Sequence, residues 1–153
     1  MGGNLGDRMK NLDLATNALE KVGNIINQSC VYETAAWGIT AQPSFLNRVL
    51  LIETELSAFE LLKTLLKIEE HIGRKRLVKF GPRMIDIDIL FFNNEIVESE
   101  QLTIPHPEIQ NRRFVLVPMN ELEPTLKHPV LKKSINQLLL ECPDQLDVKV
   151  FSC

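Results

Sequence analysis

The chain has 153 residues, of which 44% are hydrophobic and 24% are charged, and its net charge is −3. This length and composition are typical of one globular domain with its own core. We therefore predict a single domain over residues 1–153 and exclude a disordered or fibrous chain. The negative charge argues against a nucleic-acid partner.

No apolar run approaches the about 18 residues that a membrane helix needs, and the first residues lack a signal-peptide pattern. We therefore expect a cytoplasmic protein with no membrane partner. By default we expect a monomer.

The three cysteines, Cys30, Cys142 and Cys153, are widely spaced, and none belongs to a CxxC pattern. An odd number of isolated cysteines without a secretory signal predicts reduced thiols. The sequence also has no Cys/His cluster with metal-ligand spacing, no HExxH and no catalytic Ser/His/Asp order. Zinc and hydrolase chemistry are therefore excluded.

The N-terminal part of the chain predicts the order helix, strand, strand, helix, strand. Apolar residues at three- and four-residue steps indicate helices over Asp7–Val22 and Ser57–Gly73, the second of which begins with a capping box. β-Branched and aromatic residues indicate strands over Ile25–Trp37 and Phe45–Thr54. Apolar and polar residues alternate over Met84–Phe92, which predicts a strand with two acids on its open face.

Prolines divide the rest of the chain, where we predict short helices over Arg112–Glu121 and Ser134–Glu141 and a last strand over Val148–Phe151. Together these elements predict an α+β fold with a ferredoxin-like βαββαβ core, in which helices back an antiparallel sheet. The elements lack a strand before the first helix. The first strand of this core is therefore predicted to be missing or truncated.

Two acidic residues, Asp86 and Asp88, lie two positions apart on the predicted strand Met84–Phe92. Because side chains alternate along a strand, both carboxylates project from one face, with Cα atoms about 6.6 Å apart. Such a pair suits Mg²⁺, which completes its shell with water and substrate phosphates. The spacing alone also fits two solvated acids on an outer face.

A run of basic residues with no acid among them directly precedes this strand. Its members are Arg74, Lys75, Arg76, Lys79 and Arg83. Triphosphate chemistry combines metal-binding carboxylates with guanidinium groups, because arginines pair bidentately with phosphates and neutralise charge that develops during transfer. The plainer alternative is a basic surface loop that favours solubility.

A histidine between two prolines, His106, is followed by Arg112, and both are candidates to contact a phosphate or a nucleobase. A histidine in a surface turn is an equally good interpretation. The glycine-rich segment 2–6 precedes a helix, but it predicts a tight turn rather than a phosphate-binding loop.

Three aromatic residues, Trp37, Phe45 and Phe114, offer flat faces to a heteroaromatic ring. Asn47 offers amide hydrogen bonds for the edge of such a ring. Taken singly, aromatic residues are more often part of the core than of a binding site.

Taken together, several segments resemble the 6-hydroxymethyl-7,8-dihydropterin pyrophosphokinase family of folate biosynthesis. The segments are GGNLGDR (2–8), YET (32–34), QPSFLN (42–47), GRKR (73–76), FGPRMIDIDIL (80–90) and TIPHPEIQNRRFVLVP (103–118). The resemblance implies transfer of the terminal diphosphate of ATP to the hydroxymethyl group of the pterin, with release of AMP. It covers nearly the whole chain, and the combination GPRxxDxDI with PHPxxxxRxFVLxP is highly specific.

The resemblance also implies roles for individual residues. Asp86 and Asp88 would hold two Mg²⁺ ions that bridge the ATP phosphates, and Arg74 and Arg83 would be catalytic. The implied nucleotide-site residues are Glu69, Arg76, Phe80, Ile89, Thr103, His106 and Arg112. The implied pterin-site residues are Thr34, Ala35, Trp37, Phe45, Asn47 and Phe114. Within the second set, Phe45 and Phe114 would stack on the two faces of the ring.

The sequence departs from the family at several positions. Members usually begin with an apolar strand, and Met1 stands where that strand should end. Phe80 replaces a tryptophan, Gln101 and Pro107 replace an arginine and a tyrosine of some members, and the segment 73–80 is slightly shorter. We therefore expect a different affinity for adenine and phosphate.

Two other functions fit parts of the sequence. A non-catalytic ferredoxin-like module would bind single-stranded RNA through its basic loop and aromatic residues, although the acidic net charge and the two aspartates argue against it. Another Mg²⁺-dependent nucleotidyl or glycosyl transferase would need only the DxD pair and a different acceptor.

Overall fold

The computed structural model describes residues 1–36, 41–73 and 82–153. In chain order, the elements are β1 (Gly2–Gly3), α1 (Arg8–Leu19), β2 (Asn24–Gln28), β3 (Val31–Thr34), β4 (Phe45–Asn47), β5 (Leu50–Glu53), α2 (Ala58–Ile72), β6 (Val97–Glu98), β7 (Thr103–Ile104), a 3₁₀ turn (Ile109–Asn111), α3 (Arg113–Leu122), α4 (Ile135–Glu141) and β8 (Val148–Ser152). No helix in these described ranges is long and apolar enough to cross a membrane.

The central sheet has the strand order β1-β4-β3-β8, and all of its pairs are antiparallel. Because β4 lies between β1 and β3, these two strands run parallel to each other. On its other side β1 meets Asp86: the Gly2 N–H donates to the Asp86 carbonyl at 2.9 Å, and the Asp86 N–H donates to the Gly2 carbonyl at 2.8 Å. This bridge places residues 84–88, which we call the aspartate segment, beside the sheet. Two separate ribbons pair β2 with β5 and β6 with β7.

The ends of α1 and α2 follow from capping residues. The Asp7 carboxylate accepts a hydrogen bond from the third residue of α1, and Ser57 and Glu60 form a reciprocal capping box at the start of α2. α2 ends at Gly73, whose φ of 110° lies in the left-handed region that favours glycine. These local signals explain why both helices lie where the sequence predicts them.

Two main groups of buried side chains hold the elements together. One joins α1 and α2 to the sheet and to the aspartate segment, and its members are Leu12, Ala15, Leu19, Val31, Leu46, Leu65, Ile85 and Ile87. The other joins α3, α4 and the 3₁₀ turn, and its members are Ile109, Val115, Leu116, Met119, Ile135, Leu138 and Cys142. Apolar burial is the main force that stabilises both.

The predicted α+β class is confirmed, with antiparallel sheets and four α-helices in the described part of the chain. Each of the two long predicted strands is divided in two, as β2 and β3 and as β4 and β5. At the break, the Val49 N–H donates to the Ser29 hydroxyl and the Ser29 N–H donates to the Val49 carbonyl. A side-chain hydrogen bond thus interrupts the regular backbone ladder.

The prediction of a regular strand over Met84–Phe92 is wrong. Within it, only Asp86 forms a bridge, because the neighbouring β1 has just two residues to pair with. The alternation behind the prediction is nevertheless present, since Ile85 and Ile87 are buried. The strand that was predicted to be missing or truncated before the first helix is the two-residue β1.

The prediction of reduced thiols is wrong for two of the three cysteines. Cys30 and Cys153 form a disulfide across 123 residues, whereas Cys142 is a buried free thiol. The antiparallel pairing of β3 with β8 sets Val31 opposite Ser152 and so brings the two flanking cysteines together. Sequence spacing contains no sign of this pairing.

Candidate active site

Two cavities border the aspartate segment and share part of their walls. The first has a volume of about 260 Å³ and the second about 340 Å³. Both are lined by Asp86, Asp88 and His106. The two carboxylates therefore lie at a junction where groups bound in the two cavities would meet.

The aspartate segment is held on two sides. β1 bridges it at Asp86, and on the other side the Ile87 N–H donates to the Glu69 carboxylate of α2 at 2.6 Å. Glu69 is almost fully buried, with 1% of its surface exposed. A buried carboxylate that receives a backbone N–H fixes the segment and so orients the flanking aspartates.

Close packing around β1 explains the glycines at its two positions. A Cβ atom on Gly2 would lie 2.3 Å from Asn47 Oδ1, and one on Gly3 would lie 2.1 Å from the carbonyl oxygen of Met84. A larger residue at position 2 would therefore displace the Asn47 side chain, and one at position 3 would push β1 away from the aspartate segment. The glycines at positions 2 and 3 thus allow the backbones to approach closely, a role beyond the predicted turn.

The first cavity contains two phenylalanines, each with an arginine beside it. The Arg83 guanidinium lies 5.4 Å from the ring centroid of Phe45, and the Arg112 guanidinium lies 5.9 Å from that of Phe114. Arg83 also donates to Asp86 at 2.6 Å. The cavity thus combines flat apolar faces with positive charge next to the junction.

A polar edge closes the first cavity between β3 and β4. The Asn47 amide donates to the Thr34 hydroxyl at 2.9 Å, and both side chains are buried. Ala35 also lines this cavity. An amide and a hydroxyl fixed in this way supply hydrogen-bonding groups for the edge of a planar heterocycle.

His106 is held in one orientation at the junction. Its backbone N–H donates to the Leu90 carbonyl at 2.9 Å, and its Nδ1 accepts from the Glu108 N–H at 3.2 Å. Burial lowers the pKa of His106 below its ordinary value, although the nearby Asp88 acts in the opposite direction. The ring is therefore mainly neutral at pH 7, and the hydrogen bond to Nδ1 leaves the proton on Nε2 as a donor.

The second cavity is lined by acidic, apolar and uncharged polar side chains. Glu69, Ile89 and Thr103 line it, together with residues that include Gln101 and Pro107. Arg112, which the family resemblance implies for the nucleotide site, lines the first cavity instead. Four further implied residues lie outside the described residues: Trp37, Arg74, Arg76 and Phe80.

The donor set at the junction fits a magnesium ion. Among the described residues, no group of three or more His, Cys, Asp or Glu side chains could hold a metal ion by itself. Asp86 and Asp88 supply two carboxylates, and Mg²⁺ commonly takes one or two from the protein and the rest from water and substrate phosphates. The residues present therefore fit an ion that binds together with a phosphate-bearing substrate.

Sequence reasoning from the residues missed the part played by Asn4. Its side chain accepts from the Arg83 N–H at 2.9 Å and donates to the Gln42 side chain and to the Pro43 carbonyl, both at 3.0 Å. Asn4 thus links the chain before β4 to the backbone of Arg83, whose side chain lines the first cavity. An asparagine among glycines before a helix was the only signal, and by itself it indicates a turn.

The fold and the site define an α+β protein in which an aromatic and cationic cavity meets a second cavity at a pair of carboxylates. The family model for 7,8-dihydro-6-hydroxymethylpterin-pyrophosphokinase (HPPK) matches residues 1–124. The chain belongs to this family.

Relatives with curated names agree with this result. A 2-amino-4-hydroxy-6-hydroxymethyldihydropteridine pyrophosphokinase of Aquifex aeolicus is 41% identical over 90% of this chain and 86% of its own length. A protein of the same name from Synechocystis is 42% identical over 91% of this chain and 72% of its own length. The folic acid synthesis protein fol1 of Schizosaccharomyces pombe is 40% identical over 94% of this chain, which spans only 20% of that protein.

Proposed function

We propose that this protein transfers diphosphate from ATP to 6-hydroxymethyl-7,8-dihydropterin in folate biosynthesis, giving the pterin diphosphate and AMP. The observation that carries the proposal is the junction, where Asp86, Asp88 and His106 line both cavities. Transfer between two substrates requires that their reacting groups meet, and a shared wall of two carboxylates provides such a place.

The first cavity is the proposed pterin site. The rings of Phe45 and Phe114 would stack on the two faces of the pterin, while Asn47 and Thr34 hydrogen-bond its edge. Ala35 would pack beside the ring, and we assign Trp37 to the same site from the resemblance. Aromatic stacking together with a fixed amide is a common way to select a flat nitrogen heterocycle.

The second cavity is the proposed nucleotide site. Glu69, Ile89, Thr103 and His106 line it, and its apolar wall suits an adenine ring. We assign Arg76 and Phe80 to the nucleotide from the resemblance. Arg112 lines the neighbouring cavity close to the junction, where a guanidinium would pair with the phosphates of a nucleotide that reaches across.

Asp86 and Asp88 are the proposed ligands of two Mg²⁺ ions, which would neutralise the ATP phosphates and lower the pKa of the attacking hydroxyl. The chain itself would position the substrates for in-line attack of the hydroxymethyl oxygen on the β-phosphorus. Arg83, already beside Asp86, and Arg74 would pair with the phosphates as charge develops.

We also infer a ferredoxin-like core within one domain over residues 1–153. In support, β4 lies between β1 and β3, α1 follows β1, and the aspartate segment bridges the outer side of β1. This is the order that a split βαβ unit would have. We keep the expectation of a cytoplasmic monomer as part of the proposal.

The RNA-binding module and a DxD transferase with another acceptor remain the competing functions. An RNA module would bind without Mg²⁺ and weaken steeply with salt. A different transferase would consume ATP or a nucleotide sugar without the pterin. The matching family model favours the pyrophosphokinase.

The test is product analysis after incubation of the protein with Mg·ATP, with and without 6-hydroxymethyl-7,8-dihydropterin. We expect AMP and a pterin diphosphate ester in equal amounts, and neither product without the pterin. ADP with a pterin monophosphate, or no pterin product at all, would contradict the proposal.

A further inference from the structure

The C-terminal strand β8 lies at the outer edge of the central sheet and is paired to β3. It packs poorly by itself, because four of its five residues are exposed. The backbone ladder to β3, the Cys30–Cys153 disulfide and contacts with α3 connect it to the rest of the described chain. A strand with so little buried surface depends strongly on such links.

One side chain of β8 reaches the start of α1. The β3–β8 register shifts between Val31 and Tyr32, which leaves Phe151 as the extra residue on β8. Such bulges redirect a side chain. The Arg8 guanidinium lies 5.9 Å from the centroid of the Phe151 ring. Phe151 is thus a cation–π partner of the first residue of α1.

Arg8 in turn supports the chain that enters the first cavity. Its Nη1 donates to Glu33 Oε1 at 2.7 Å, to the Ser44 hydroxyl at 2.8 Å and to the Ser44 carbonyl at 3.0 Å. The Ser44 hydroxyl also donates to Glu33 Oε1 at 2.8 Å. Ser44 directly precedes Phe45, and Glu33 directly precedes Thr34.

We propose that β8 positions the pterin cavity: Phe151, fastened by the Cys30–Cys153 disulfide, supports Arg8 and through it the Glu33–Ser44 contact behind Thr34 and Phe45. Phe151 is a positioning residue, since it does not line either cavity. The inference rests on the proposed assignment of the first cavity to the pterin. It predicts that the thiol state of the cysteines affects pterin binding and leaves ATP binding largely unchanged.

The chemical step is a balanced thiol–disulfide exchange. A dithiol such as dithiothreitol transfers two electrons and two protons to the Cys30–Cys153 bond, which gives two protein thiols and the cyclic disulfide of the reagent. Glutathione disulfide reverses the step and becomes two glutathione thiols. Cys153 is an exposed residue, which favours access of both reagents to the disulfide.

The first experiment compares the oxidised and reduced protein, with each state verified by the mass after thiol alkylation. We expect the KM for the pterin to rise about two- to fivefold on reduction, the equivalent of one exposed cation–π contact. The KM for ATP should stay within about twofold, because the second cavity does not touch this network. Cys142→Ala removes the remaining thiol and should leave the response to reduction unchanged.

The second experiment separates positioning from general stability. In the oxidised protein, Phe151→Ala should raise the KM for the pterin as much as reduction does. Phe151→Tyr keeps the aromatic ring and should have the KM of the unaltered protein. Val150→Ala on the same strand should leave this KM unchanged. Reduction of Phe151→Ala should add little further change, because both alterations interrupt one path.

Hydrogen exchange supplies a readout that needs no activity. Reduction should speed exchange of the amides of residues 44–45 as well as those of β8. Four results would each overturn the proposal. They are absence of the disulfide after oxidation, a KM for the pterin that is equal in both states, a shift in the KM for ATP as large as that for the pterin, and unchanged hydrogen exchange at residues 44–45. AMP formation that is independent of the pterin in both states would instead overturn the proposed function.

Discussion

The two cavities share Asp86, Asp88 and His106 but differ in charge. The first also contains Arg83 and Arg112, whereas the described lining of the second adds acidic, apolar and uncharged polar side chains and no lysine or arginine. A polyphosphate needs cations along its length. We infer that the second cavity selects the nucleoside. The positive charge for the phosphates would come from Arg83 and Arg112 of the first cavity, from metal ions held by Asp86 and Asp88, and from the basic residues that the sequence places between 74 and 83.

The largest effect should come from the junction itself. Asp88→Asn removes one negative charge from both cavities and should lower kcat by at least about 100-fold, the scale seen when one key electrostatic group is lost. Steady-state rates at saturating Mg²⁺ measure the change, with the exposed Glu95→Gln as the matched control. A kcat close to that of the unaltered protein would remove the junction from the mechanism.

The next effect should distinguish the first cavity from the second. Phe114→Ala removes one face of the proposed pterin slot and should raise the KM for the pterin about tenfold, with little change for ATP, since stacking on an aromatic ring contributes on this scale. The exposed Phe59→Ala on α2 is the control, and it should change neither KM. A larger rise for ATP than for the pterin would reverse the two assignments.

A smaller effect should appear in the second cavity, the proposed nucleotide site. Thr103→Val removes one hydroxyl from the second cavity and should raise the KM for ATP about fivefold, as expected for the loss of one hydrogen bond. The KM for the pterin should not change. Thr64→Val, whose hydroxyl is bound to its own helix backbone, controls for the substitution. Equal shifts in both KM values would argue against separate cavities.

The smallest effect concerns stability away from both cavities. His128 is buried against Phe91, and its Nδ1 accepts from the N–H groups of Val130 and Leu131. Burial lowers the pKa of His128, so the folded protein keeps the ring neutral while the unfolded chain takes up a proton below about pH 6.5. This contribution to stability is complete above that pH and is lost as the pH falls towards the folded pKa.

His128→Asn keeps an acceptor near the position of Nδ1 but does not titrate. The free energy of unfolding of this variant should therefore fall less on acidification from about pH 7 to pH 5 than that of the unaltered protein. Denaturant titrations at several pH values measure the difference, and His106 contributes equally to both proteins. Identical pH dependence would show that the burial of His128 does not govern its protonation.

Local signals in the sequence predicted much of the helical part of the fold. Asp7 and the Ser57–Glu60 capping box fix the starts of α1 and α2, and Gly73 fixes an end. Such signals act within a few residues and can be recognised without a partner. The alternation over Met84–Phe92 correctly placed Ile85 and Ile87 inside. A strand also needs a neighbour, however, and β1 is too short to provide one.

The features that the sequence did not predict depend on distant parts of the chain. The Cys30–Cys153 bond forms because β8 pairs with β3. The hydrogen bonds of Asn4 to Gln42 and Arg83 form because the N-terminal turn lies between two loops. The residues alone singled out the two aspartates, the basic run, His106 and the aromatic candidates, and the family resemblance added the remaining site residues and a role for each. Composition and spacing alone indicated a metal site beside basic residues and left its substrate open.

The most direct test of the two-cavity account is paramagnetic relaxation by Mn²⁺ in place of Mg²⁺, with the pterin and a non-hydrolysable ATP analogue both bound. If Asp86 and Asp88 join the two sites, Mn²⁺ should broaden the phosphorus signals of the nucleotide and the proton signals of the pterin hydroxymethyl group. Asp88→Asn should weaken both effects. Broadening of the nucleotide signals alone, with an unaffected pterin, would contradict a shared junction.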